Sequence, residues 1–185
     1  VKRAERAPSE RRWFHYSKGF HLGAILRDGR LRPATAGVVP PERPAVWFSC
    51  REDCEPTALM GKITEDGALH VYSIAEMVAA VGPLTRFEVD AKTATYSWVE
   101  HLRRGRIDRQ MAQALVDASR EQGAEPAEWR LTYRNVPLKH VRAIEWSEDG
   151  QAWHPAIVLE GERLTIDPVL CSKVREAWAR RQSAA

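Results

Sequence analysis

Two short stretches concentrate side chains that can bind or react: Trp13-Phe14-His15-Tyr16-Ser17 and Val46-Trp47-Phe48-Ser49. An imidazole among aromatic rings serves one of two ends. It is a hydrogen-bonded member of the core, or it orients a ligand through a ring nitrogen. Aromatic neighbours such as Tyr16, Trp47 and Phe48 can stack on a flat ligand. Ser17 and Ser49 add hydroxyls that donate or accept. Metal chemistry has less to work with. Cys50 and Cys54 stand four apart beside Asp53 and Glu55, but no second pair matches them. The nearest histidine is His70 and Cys171 lies far along the chain, so no metal site is expected. No Gly-x4-Gly-Lys phosphate loop and no Gly-x-Ser-x-Gly elbow is present.

The elements that must carry these residues follow from local pattern. Arg12–Tyr16 is β-prone, and a helix opening at Ser17 or Gly19 carries Leu22, Ile25 and Leu26 until Gly29. Residues 33–44 hold four prolines in twelve positions and read as an ordered loop or lid. Ala45–Ser49 is a short buried strand, residues 50–66 are irregular, and Ala68–Tyr72 is a strand. Ser73 and Glu76 form a capping-box pattern ahead of a helix that Gly82 ends. Thr85–Val89 and Thr93–Trp98 read as strands. Asp108 opens a helix whose Met111, Leu115 and Ala118 share one face. Strands follow over Glu128–Tyr133, Val141–Trp146 and Trp153–Leu159, and Asp167-Pro168 opens a last helix. Helices do not alternate regularly with strands, which predicts an α+β class.

Size and charge bound the answer. The chain has 185 residues and a formal charge of +3. One domain over 12–182 behind a polar arm, 1–11, is the expected organisation. The charge excludes a histone-like tail or polybasic anchor as the main function. No transmembrane span and no signal peptide is read, and three cysteines fit a reducing cytoplasm. Trp98, Trp146, Trp153 and Trp178 read as core or near-core rings. Arg103-Arg104-Gly105-Arg106 reads as a solubilising turn. Lys139, His140 and Arg142, near Arg130 and Arg134, read as a solvated sheet edge.

The longer arrangement adds a resemblance. The aromatic-His-aromatic-hydroxyl strand, Ile25-Leu26-Arg27-Asp28-Gly29-Arg30-Leu31, the proline-rich loop and Trp47-Phe48-Ser49 resemble the opening of the ADP-ribosyltransferase superfamily. The likeness is to its bacterial toxin-like branch, which includes DNA-modifying toxins, and covers residues 13–49. A weaker patch, Ala127-Glu128-Trp129-Arg130-Leu131-Thr132 with Val136-Pro137-Leu138 and Val141–Ile144, looks like that branch's late strands.

The resemblance implies a split, twisted sheet with peripheral helices and NAD as co-substrate. It implies mono-ADP-ribosyl transfer by a toxin or defence factor. The acceptor is left open, nucleic acid included, and an antitoxin partner suits the class. Glu128 would be the catalytic carboxylate, with Glu145 its competitor. The plain alternative for Glu128 is an outward strand residue paired with Lys or Arg. His15 would hold the nicotinamide ribose, Tyr16, Trp47 or Phe48 would stack, and Ser17 and Ser49 would support. Arg27, Arg30, Arg43 or Arg51 would meet the pyrophosphate, and loop 33–44 would cover NAD. A carboxylate beside the ribose stabilises the positive charge that develops as nicotinamide leaves. Ser17 departs from the branch's usual Thr, and no Glu-x-Glu or Gln-x-Glu surrounds Glu128, which argues against arginine as acceptor. A non-catalytic module that binds nucleotide, nucleic acid or protein on the same scaffold is the alternative.

Overall fold

The computed structural model describes residues 11–65, 67, 69–160 and 163–183. All of the expected arm except Arg11 lies outside them. The aromatic opening forms β1 (Trp13–Lys18). It runs two residues further than its sequence pattern, so the helix starts later. A 3-10 turn over Gly19–His21 intervenes before α1 (Leu22–Asp28), which Gly29 ends at φ 66°. The chain continues through β2 (Arg30–Leu31), β3 (Val46–Ser49), β4 (Gly61–Ile63) and β5 (Leu69–Val71). The Ser73/Glu76 capping box is formed and starts α2 (Ile74–Val81). Next come β6 (Leu84–Val89) and β7 (Tyr96–Ser97).

The expected strand over Thr93–Trp98 is therefore mostly something else. Ala91–Thr93 is a 3-10 turn, and a second capping box, Ser97 with Glu100, opens α3 (Trp98–Arg104) at the last of those residues. Asp108 caps α4 (Arg109–Glu121) by accepting from the backbone N–H of Gln110 and Met111. Then follow β8 (Trp129–Thr132), β9 (Val136–Pro137), β10 (Val141–Ser147), β11 (His154–Pro155), β12 (Ile157–Glu160), β13 (Arg163–Ile166) and α5 (Pro168–Ser183). No helix among the described residues is long and apolar enough to cross a membrane.

Seven strands make one antiparallel sheet in the order β11-β10-β6-β1-β3-β8-β7. Alternation along each strand sends Phe48, Phe87 and Trp13 to one face, where they pack with Leu22 of α1 and Leu170 of α5. The opposite face carries Trp129, packed with Trp98 and Ala112 under α3 and α4. Met77 and Val81 of α2 cover Leu84 and Cys54 in a third cluster. Burial lifts the Cys54 thiol pKa to about 12, so it packs as a neutral apolar group.

Two expectations about burial need correcting. Trp178 stands 54% exposed on α5 and is not a core ring. Met111 and Leu115 face outward, while Ala112 and Ser119 turn inward. Small side chains allow α4 to approach the Trp98–Trp129 cluster, so the buried stripe lies one position on from the apolar one.

The corner between α3 and α4 depends on Gly105. Its φ is an ordinary −79°, but a Cβ there would lie 2.3 Å from the His101 ring. Gly105→Ala is expected to lower stability by about 1–3 kcal/mol through overpacking. Denaturant unfolding measures it, and a midpoint equal to wild type would contradict the contact.

Candidate functional site

The sheet is not uniform along its width. β6 pairs with β1 through six consecutive residues, whereas β1 meets β3 at the single pair Phe14 and Ser49. Beyond that pair the ladder stops, although the two strands stay side by side. Strands β11-β10-β6-β1 stand on one side of this seam and β3-β8-β7 on the other, within one sheet. His15 stands in the seam. Its Nδ1 lies 2.9 Å from the carbonyl oxygen of Trp47, a contact made by a side chain where ladder bonds have stopped. A carbonyl only accepts, so the ring N–H is on Nδ1 and Nε2 carries the lone pair in the neutral form. Burial pushes the His15 pKa below the ordinary imidazole value, which keeps it neutral at pH 7. The rings of Phe48 and Phe87 flank it at 6.3 and 6.1 Å.

The other residues expected at a site distribute around this seam. Tyr16 points to the opposite face. Its hydroxyl donates to the carbonyl of Arg51 at 2.6 Å and also meets that of Asp53, and its ring packs edge-on against Trp153. Ser17 continues β1 beside Thr85, partly exposed. Trp47 sits among Trp98, Trp129 and His101, with ring centroids 5.0–6.3 Å away. Phe48 is 2% exposed and belongs to the core. Ser49 is buried and donates to Glu55 Oε2 at 2.6 Å, while Glu55 Oε1 accepts from the Thr57 hydroxyl and backbone N–H. This closed set folds the loop after β3 back onto the sheet. The segment Ser49-x5-Glu55-Pro56-Thr57 was the sequence trace of it, since proline follows an acceptor placed to cap a turn.

Glu128 is not on a strand. It ends a 3-10 turn, Pro126–Glu128, and β8 starts one residue later. Its Oε2 lies 3.3 Å from Arg51 Nη1 and accepts from the Glu125 N–H. Arg51 Nη1 also donates to the Gly123 carbonyl at 2.7 Å. The carboxylate is thus paired with an arginine, the plainer of the two sequence readings. Register puts His15 level with Phe48 and Arg130, and Glu128 two positions beyond Arg130. The Arg130 guanidinium lies over the Trp13 ring at 5.0 Å. The structure brings Glu128 to Arg51 and His15 to Trp47, not Glu128 to His15.

Glu145, the competing carboxylate, has a different setting. It accepts from Arg86 Nε at 2.8 Å in an open basin of about 590 Å³ lined also by Glu52, Asp53, Gln151 and Trp153. The Arg86 guanidinium lies between the rings of Phe14 and Trp153, at 4.5 and 4.2 Å, and donates to the Glu52 carbonyl. This basin lies on the Tyr16 face of the sheet, away from His15. Sequence reasoning gave Arg86 no part, because its partner is 59 residues away.

Of the arginines considered for a pyrophosphate, Arg51 is held by Glu128 and Gly123 and Arg43 stacks 3.9 Å above Tyr133. Arg27 and Arg30 are exposed on α1 and β2. The proline-rich loop is docked at the α3–α4 corner. Its Arg43 N–H donates to the Gly105 carbonyl at 2.8 Å. Glu42 faces buried His101, whose Nδ1 meets the Tyr133 hydroxyl at 3.0 Å.

In comparisons with known proteins, no family model, no curated protein and no solved structure matches the chain.

Proposed function

We propose that the chain transfers ADP-ribose from NAD to an acceptor and that the β1–β3 seam is its nucleotide cleft. The observation that carries this reading is the single-pair seam with His15 standing in it. With its ring N–H committed to Trp47, His15 has one free function, acceptance at Nε2. A ribose hydroxyl supplies the matching donor. In the reaction the C1′–nicotinamide bond breaks and its electron pair leaves with nicotinamide. The acceptor's lone pair then forms the new bond to C1′, and the acceptor loses a proton. A carboxylate near the ribose lowers the barrier electrostatically. Glu128 is the candidate that the sequence resemblance supplies, and its side chain is 35% exposed. Action as a cytoplasmic toxin or defence factor, and an antitoxin to restrain it, belong to the same proposal through the sequence resemblance.

One observation favours the second reading, a nucleotide-binding module without turnover. The Glu128 carboxylate is engaged by Arg51. The test is nicotinamide release from NAD by wild type, His15→Ala, Glu128→Gln and Glu145→Gln, with NAD binding followed by calorimetry. Release that is lost in His15→Ala and Glu128→Gln supports transfer. Binding without release selects the module. Neither binding nor release by wild type overturns the seam as a nucleotide site.

A further inference from the structure

We infer that Arg51 is a two-position switch, which yields Glu128 to a cationic pyridinium ring and falls back onto Asp53. The inference rests on the reading of the seam as a nucleotide cleft and names the part of the nucleotide that Glu128 would face.

The base of Arg51 is fixed. Its backbone N–H donates to the Ser49 hydroxyl at 3.2 Å, and its carbonyl accepts from the Tyr16 hydroxyl at 2.6 Å. One residue earlier, the Cys50 N–H donates to the Glu128 carbonyl at 3.1 Å, which ties this loop to the turn before β8. The guanidinium is held less firmly. A charge-assisted bond from N–H to carboxylate is normally about 2.7–2.9 Å long. Arg51 Nη1 lies 3.3 Å from Glu128 Oε2, and Nε lies 3.6 Å from Asp53 Oδ1. Nε and Asp53 Oδ1 are both shielded from solvent, and neither has a hydrogen-bond partner among the described residues. A buried donor and a buried acceptor thus face each other just beyond bonding range. Leaving such groups unpaired is costly, so a small turn of the guanidinium toward Asp53 gains a bond that its present position lacks. The head group has two alternatives, Glu128 with the Gly123 carbonyl, or Asp53.

Charge selects what takes its place. Three carboxylates act on Arg51: Glu128, Asp53 and Glu55. Glu55 is engaged by Ser49 and Thr57. Arg120 and Glu125 pair with each other at 3.6 Å, and Arg130 lies over Trp13. One guanidinium therefore faces two remaining carboxylates, a balance that attracts a second cation rather than an anion. In NAD that cation is the nicotinamide ring, a pyridinium until it leaves as neutral nicotinamide. When the ring reaches Glu128, two cations compete for one carboxylate. Movement of Arg51 to Asp53 gives each positive charge its own counter-charge, so the exchange strands no ion. Glu128 is then free to face the ribose as the bond to nicotinamide breaks. Arg51 is thus a positioning residue that acts through Glu128.

The test is equilibrium binding of NAD and of NADH to the full chain. The two dinucleotides differ in the nicotinamide ring, cationic in the first and neutral in the second. Arg51→Gln removes the competitor of the ring, so NAD should bind about tenfold tighter while NADH is unchanged. Asp53→Asn removes the fallback carboxylate from a half-exposed side chain. NAD should then bind about tenfold more weakly, with NADH again unchanged. Arg51→Lys keeps the charge and should return NAD binding to the wild-type range. Thermal melts check folding, and if Arg51→Gln does not fold, Asp53→Asn decides. Equal shifts for NAD and NADH mean that Arg51 only supports the loop, and they overturn the switch. So does NAD binding that no variant alters, in which case the nucleotide cleft stands. Binding of neither dinucleotide by wild type removes the cleft and the switch together.

Discussion

Glu145→Ala is expected to destabilise the protein by about 3 kcal/mol. At this chain length that corresponds to a melting temperature lower by about 6–12 °C. The reason is the burial of Arg86, whose side chain is only 6% exposed. Its charge is balanced by Glu145, by one carbonyl and by the faces of two rings. Removing the carboxylate strips a desolvated cation of the counter-charge hydrogen-bonded to it, which costs more than the pair itself contributes. Arg86→Met should cost less, because Glu145 is 21% exposed and can recover water. Thermal melts of the three proteins measure the ordering. A melting temperature for Glu145→Ala equal to wild type would mean that the pair is not formed. The same variant separates two roles. If Glu145 only balances Arg86, nicotinamide release per folded molecule is unchanged while stability falls.

His15→Ala should reduce nicotinamide release by about 10²-fold or more, the scale of losing one preorganised contact to a reacting centre. Stability should fall by only about 1 kcal/mol, for the hydrogen bond to the Trp47 carbonyl. The pH dependence carries a definite sign. Burial depresses the folded-state pKa of His15, so the unfolded chain takes up its proton first as pH falls. The stability contribution is complete above the ordinary imidazole pKa of about 6.5 and is lost as pH falls toward the depressed value. Release should follow the same direction, because protonated Nε2 donates and no longer accepts from a sugar hydroxyl. A rate profile that is flat or rises toward acid would falsify the acceptor role.

How far the sequence reveals this molecule depends on the range of each interaction. α2 and α4 are readable because Ser73, Glu76 and Asp108 act on their own helices. α3 was readable by the same rule, from Ser97 and Glu100, but Thr93, Thr95, Tyr96 and Trp98 gave the stretch a stronger β pattern. The buried side of α4 was not readable, since neighbouring tryptophans rather than the helix decide that Ala112 goes inward. The site divides likewise. The aromatic surroundings of His15 were evident from Trp13 to Ser17. The seam, the Arg51–Glu128 pair across 77 residues and the Arg86–Glu145 pair were not, because nothing local specifies them.

The two outermost strands of the large sheet, β7 and β11, are each two residues long, and one of the four residues is Pro155. A flank that short offers an incoming chain few backbone groups to copy, and proline withdraws one donor. Edges of this kind disfavour lateral addition of another strand.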